Sequence, residues 1–389
     1  MSYDLYRYCH FYSACDYGDA FYVPAIMQNG IYKIEKKTWE INKVLDFEVS
    51  GEQYIEGLYT YCALVGDKIV FCPQNTNQVA IYDILKNECV TLDIIVEGDK
   101  HSFFGTIGHA VNNDKVYIYS TYDEKAPLIL DLKNYEIQYD MRWKEKVSKV
   151  YASGQTYFIS SIAQIHEIVW TGIYKTNKVI GYCLNQNKVI KEYKLDSDFQ
   201  IERIFKAVDE KLFITSLDGG KICVLDMVTE EQSYYILPNK FKVAKILFKD
   251  RICMISYNEK KIIVADGNME NIKVIDLDIP EFFSFHATRF YYAGCIFEGV
   301  LYLYPFRSNG IVTYEFSTGK VGFKSTLLNE EISEILRNIR KRSYDKLQSY
   351  NENIYPLKDF ISDIKCDVKR DLSNISCGKL IYEESLDVY

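Results

Sequence analysis

Metal and redox signatures are missing from this chain. Its eleven cysteines include no CxxC pair and its five histidines no pair at zinc-ligand spacing, so neither a dithiol motif nor a structural zinc site can be read from it. GxSxG, a P-loop and a helix-opening GxGxxG are also absent, which removes the common sequence handles for acyl transfer, phosphoryl transfer and dinucleotide binding. No apolar stretch reaches 18 residues, so no membrane-spanning helix is expected. A net charge of -8, with no Lys/Arg-rich stretch before residue 327, excludes a general nucleic-acid binder, which needs a basic face. The opening MSYDLYRYCHFYSACDYGD lacks the apolar core of a secretory leader. The expected setting is a reducing cytoplasm. Cys62, Cys72, Cys223, Cys253 and Cys295 then serve as small buried hydrophobes, and no cofactor or metal is expected.

What is present is a repeat. Seven times the chain runs through a short apolar strand, a polar turn and a second strand, as in KIVFCPQNTNQVAIYDI, KLFITSLDGGKICVLDM and VLYLYPFRSNGIVTYEF. The first apolar residues of these strands are Phe21, Ile69, Val116, Ile168, Leu212, Ile252 and Leu301, spaced about 40 to 52 residues apart. Each unit offers four strand-like runs separated by turn residues, and one such sheet cannot bury both faces alone. The pattern predicts an all-β, seven-bladed β-propeller over 1–327. Small residues recur six and eight positions before the anchors, among them Cys15, Ala63, Ala110, Ser13, Gly108, Ala244 and Ala293, as crowding around an axis requires; Tyr61, Lys206 and several Ile depart from this. Asp83, Asp131, Asp226 and Asp276 read as closing third strands, and their recurrence favours a turn role over catalysis.

After Leu327 the period becomes helical. Ile332, Ile335, Leu336, Ile339 and Leu347 share one face, and Leu357, Phe360, Ile361, Ile364, Val368 and Leu372 share another. A C-terminal helical appendage is therefore expected over 328–389, able to dock on its own protein or to pair two copies as a homo-oligomer.

Three groups of residues invite a functional reading. The loops from Pro24 to Asn29, Pro73 to Asn77 and Pro305 to Asn309 share a Pro-to-Asn pattern, and blades 7, 1 and 2 become neighbours once the ring closes. They read either as one polar patch for a peptide or hydroxyl-rich ligand, or as tight-turn chemistry. Beside them His286, Arg289 and Arg307 could converge on an anion, with Tyr291 as a stacking platform. His109, His166 and His286 could serve as acid and base in an enzyme, although no carboxylates stand at ligand spacing near them.

The strand endings IYDILKNE, LILDLKNYE and VLDMVTEE resemble those of bacterial kelch-like and YVTN-type β-propellers, although the paired glycines of kelch blades are absent. That resemblance spans about residues 10 to 327 and implies a binding platform. The expectation is a non-catalytic propeller recognising a protein or glycan partner on the face of blades 7, 1 and 2. The alternative is a propeller enzyme of lyase or lactonase type with a divalent metal.

Overall fold

The computed structural model describes residues 8–47, 57–94, 103–121, 125–150, 159–206, 210–249, 251–257, 259–277, 291–306 and 308–328. All belong to one compact unit, Met1–Glu48 with Ile55–Glu330. They form seven four-stranded antiparallel sheets over 15–46, 59–93, 106–139, 159–194, 201–236, 243–276 and 291–325. Within each sheet, here blades 1 to 7, the four strands lie side by side in chain order. The seven-bladed propeller expected from the period is what the chain forms.

Burial follows from position in the blade. Second strands such as AFYVPA (Ala20–Ala25) and VLYLYP (Val300–Pro305) are almost wholly buried because neighbouring blades cover both faces, so they read as unbroken apolar runs. Fourth strands such as Glu88–Asp93 lie outermost and alternate between half-buried and exposed. First strands line the axis. There Gly108 meets the next blade: a Cβ on it would stand 3.2 Å from the Ile162 side chain.

One backbone hydrogen bond recurs in all seven blades. The residue just after the fourth strand donates its N–H to the carbonyl just before the third strand: Phe47 to Asn29, Ile94 to Asn77, Asp140 to Pro127, Leu195 to Asn177, Leu237 to Gly220, Leu277 to Lys260 and Thr326 to Asn309. The donating residue is buried each time, which fixes where the chain leaves one blade for the next. In blade 3 the donor is Asp140, whose Oδ1 also accepts the N–H of Trp143 at 3.0 Å and caps a helix, α1 (Met141–Val150). That helix was not foreseen; it fills the longest anchor spacing, and buried Trp143 stacks edge-on against Tyr119 and Tyr182 at 4.8 and 4.9 Å. It is the one α-helix among the described residues, and the C-terminal helices expected after Leu328 lie outside them.

The ring closes between blades 7 and 1. Trp39 stacks on Tyr302 at 4.4 Å, Phe21 meets Phe297 edge-on, and the Lys36 ammonium sits over the rings of both Phe21 and Phe297 while bonding Asp16 at 2.5 Å. Cys9 donates its N–H to Thr326 O at 2.8 Å, and Tyr8 pairs with Leu327.

Third-strand acids do turn work. Asp83 Oδ1 accepts from Lys86 N, Asp131 Oδ1 from Lys133 N, and Asp226 Oδ1 from Val228 N and Thr229 N. Asp276 is a correction: it ends a fourth strand, and the equivalent acid of blade 6 is Asp266, which accepts from Asn268 N and Glu270 N.

Candidate binding site in the axial channel

Seven first strands enclose a channel of about 1080 Å³, large enough for a drug-sized ligand or the end of a peptide. They are Cys15–Tyr17, Tyr59–Val65, Thr106–Asn112, Ile159–Ile165, Ile201–Lys206, Val243–Phe248 and Tyr291–Phe297. Side chains stitch these strands together across blades. Ser13 Oγ donates to Thr60 O, Gln164 exchanges bonds with the Val111 backbone, and Ser161 Oγ donates to Ile204 O while accepting from Ile204 N.

Near its upper end, where the loops between second and third strands gather, the first strand of each of blades 2 to 7 carries one extra residue against its partner. Such a bulge turns the following side chain. After it come Tyr61 in blade 2, Arg203 in blade 5 and Lys245 in blade 6, each paired with the penultimate residue of its second strand (Cys72, Thr215, Ile255). The three therefore sit at one level. In a ring of seven, blade 2 stands across from blades 5 and 6, so a phenol faces two cations.

The electrostatics agree with that placement. Burial, and next the Arg203 charge, hold the Lys245 ammonium below its ordinary range. Burial raises Tyr61, with Tyr12 adding to the push and the Arg203 guanidinium opposing it. His109 also lines the channel; burial and the Lys245 charge push it down to about 4, which keeps its imidazole neutral at pH 7, and its Nδ1 has no hydrogen-bond partner. Tyr61 donates to the Tyr12 hydroxyl at 3.1 Å with the rings edge to face, and Tyr12 in turn meets Phe306. The channel's acidic lining residue among those described, Asp16, is held by Lys36.

The structure sorts the sequence candidates. Asn29, Asn77 and Asn309 occupy the repeated acceptor position described above, whose backbone role Pro127, Asn177, Gly220 and Lys260 fill in the other blades. Asn29 adds a left-handed φ of 46° and accepts the Leu58 N–H at its side chain. His166 sits in the turn between the first two strands of blade 4, bonded to Glu210 at 2.7 Å on the surface, and does not share the channel with His109. His286, Arg289 and Arg307 lie outside the described residues, as does the side chain of Tyr291, whose backbone opens the first strand of blade 7. No three His, Cys, Asp or Glu among the described residues are grouped to hold a metal ion. The expected thiols are free, with Cys62, Cys72, Cys223 and Cys253 buried and Cys295 half-buried. Burial raises Cys72, and a hydrogen bond to Cys62 followed by burial raises Cys15, so these thiols stay protonated.

Arg203 and Lys245 escaped sequence reasoning. A fixed offset from the anchor finds neither, because the first two strands are joined by two residues in blade 2 (66–67), four in blade 5 (207–210) and three in blade 6 (249–251). Lys245, the one charge in VAKILF, was an available signal, whereas Arg203 is one of three charges in IERIFK and does not stand out.

No family model and no curated protein matches the sequence. Solved structures do. The chain is similar to virginiamycin B lyase from Staphylococcus aureus (TM-score 0.58, 13% identity, covering 83% of this chain and 96% of that one). It is similar to YCF48 bound to D1 peptide (TM-score 0.56, 7% identity, 78% and 91%) and to the Cps50 (Swd1) β-propeller domain of Myceliophteria thermophila (0.53, 11%, 82% and 98%). At these identities the likeness is one of fold.

Proposed function

We propose that this propeller is a non-catalytic binding module that recognises a protein partner at the upper mouth of its channel, on the side of blades 7, 1 and 2. The observation that carries this reading is the make-up of the mouth. Tyr12, Ile26 and Met27 come from blade 1, Gln74 and Asn75 from blade 2 and Phe306 from blade 7, which sets aromatic and apolar groups beside amides, the mixture that suits a polypeptide segment. A solved propeller of similar fold is bound to a peptide, which supports the reading by analogy of fold. The kelch-like repeat type and the cytoplasmic setting belong to the same proposal.

The test is capture from cells with the full chain and a Met27→Arg/Thr121→Arg variant, both positions half-buried at the mouth. The partner is expected to be lost from the variant and kept by a lower-face control, Glu210→Lys. Equal retention by all three proteins would remove the mouth as the interface, and binding to a glycan array in place of protein would replace the partner class.

A further inference from the structure

We infer that the axial channel contains an oxyanion site, in which the carboxylate or phosphate of a small ligand is held between Arg203 and Lys245 and faced by His109 and Tyr61. This goes beyond the partner reading and does not rest on it, since the groups involved belong to the channel wall and not to the mouth loops.

Charge is the first argument. The protein as a whole is acidic, at -8, yet the charged residues described along the channel are Arg203, Lys206 and Lys245 against Asp16 alone, and Asp16 is already bonded to Lys36. No carboxylate among the described residues pairs with Lys245; its electrostatic neighbour is another cation, Arg203. Two half-buried cations from adjacent blades at one level of the channel offer charge-assisted donors to a single oxyanion.

Geometry is the second. Both cations follow the first-strand bulge that blades 2 to 7 share, which brings their side chains to one height in adjacent blades. His109, from blade 3, presents an Nδ1 with no protein partner. When an anion offsets Lys245, that imidazole becomes easier to protonate and can donate to the ligand. Arg203 also lies near the ring of Tyr257, at 5.8 Å, which helps to fix the guanidinium plane.

The probes are inorganic phosphate and citrate, each compared with sodium chloride at matched ionic strength, on the full chain. Thermal unfolding is expected to shift upward saturably by several degrees with at least one of them, and His109, followed by NMR, is expected to titrate about one unit higher at saturation. Arg203→Gln/Lys245→Met should weaken binding at least tenfold, while Lys221→Gln, outside the channel lining and paired with Asp198, should leave it within twofold. If the double variant does not fold, Lys245→Met alone carries the test. Preference for phosphate or for citrate identifies the ligand source. No shift beyond chloride with either probe, or an undiminished shift in the Lys245→Met protein, overturns the site. The Met27→Arg/Thr121→Arg protein keeps both cations, so its failure to bind a partner and failure of the anion site are separately visible.

Discussion

The outer turns and the axial channel are made from the same seven repeats, yet they treat charge in opposite ways. Outside, acids recur blade after blade: Asp83, Asp131, Asp226 and Asp266 each accept backbone N–H groups of the turn they begin, and Glu315 does similar work through Ser317 and Thr318. Inside, a cation at the position after the first-strand bulge is found in two adjacent blades among the described residues, as Arg203 and Lys245, and His109 occurs once. What every blade repeats serves the blade. What only one or two blades carry is not required by the blade, and in the channel it suits the oxyanion site proposed above.

The largest expected effect comes from breaking close packing at the axis. A Cβ at Gly294 would stand 2.4 Å from the Tyr302 carbonyl oxygen, which belongs to backbone and cannot swing away. Gly294→Ala should cost about 3 kcal/mol in denaturant unfolding. Gly267→Ala, on an outer turn with nothing within 4 Å, should be silent, and an equal loss at both would erase the inner-outer distinction. Next is pH. With His109 held at about 4 against an unfolded value near 6.5, the unfolded chain takes up a proton that the folded one refuses. Stability therefore falls as pH drops from about 6.5 toward 4, by about 2 kcal/mol at pH 5. His109→Asn should flatten that part of the profile, and an unchanged slope would mean that the histidine is solvated.

Smaller still, Lys245→Met should raise the melting temperature by a few degrees in ligand-free buffer, because it removes a charge held in a poorly hydrated place. A drop would show that the ammonium is a structural anchor. Last, Asp226→Ala should lower the melting temperature slightly and leave anion binding intact, which calorimetry can check in one sample.

Much of the fold was legible because blade formation repeats its chemistry. Anchors such as Ile168 and Ile252 open second strands, and Phe21, Ile69, Val116, Leu212 and Leu301 stand one residue inside theirs. A buried second strand needs a continuous apolar run in every blade, which is why the count of seven could be made. Helix α1 was hidden because a single link carries it, once, with Asp140 standing where other blades place Phe47, Ile94, Leu195, Leu237 or Leu277. The site was less legible. Asn29, Asn77 and Asn309 drew notice because they repeat, and the position they share carries a backbone acceptor in every blade. Arg203 and Lys245 become neighbours only through ring closure and a bulge, neither of which leaves a residue signature.

Ring closure has a consequence for the order in which the molecule can be made. Trp39 and Tyr302 stack across about 260 residues of sequence, and Cys9 reaches Thr326 across more still. As the chain leaves the ribosome, blades 2 to 6 can each dock on a finished neighbour, but blade 1 must wait with Phe21, Trp39 and the Lys36 ammonium uncovered until blade 7 exists. That waiting surface is the hazard of synthesis: a chain stalled before Tyr302 presents an aromatic edge to any other unfinished copy, and a slow final folding step should report the arrival of blade 7.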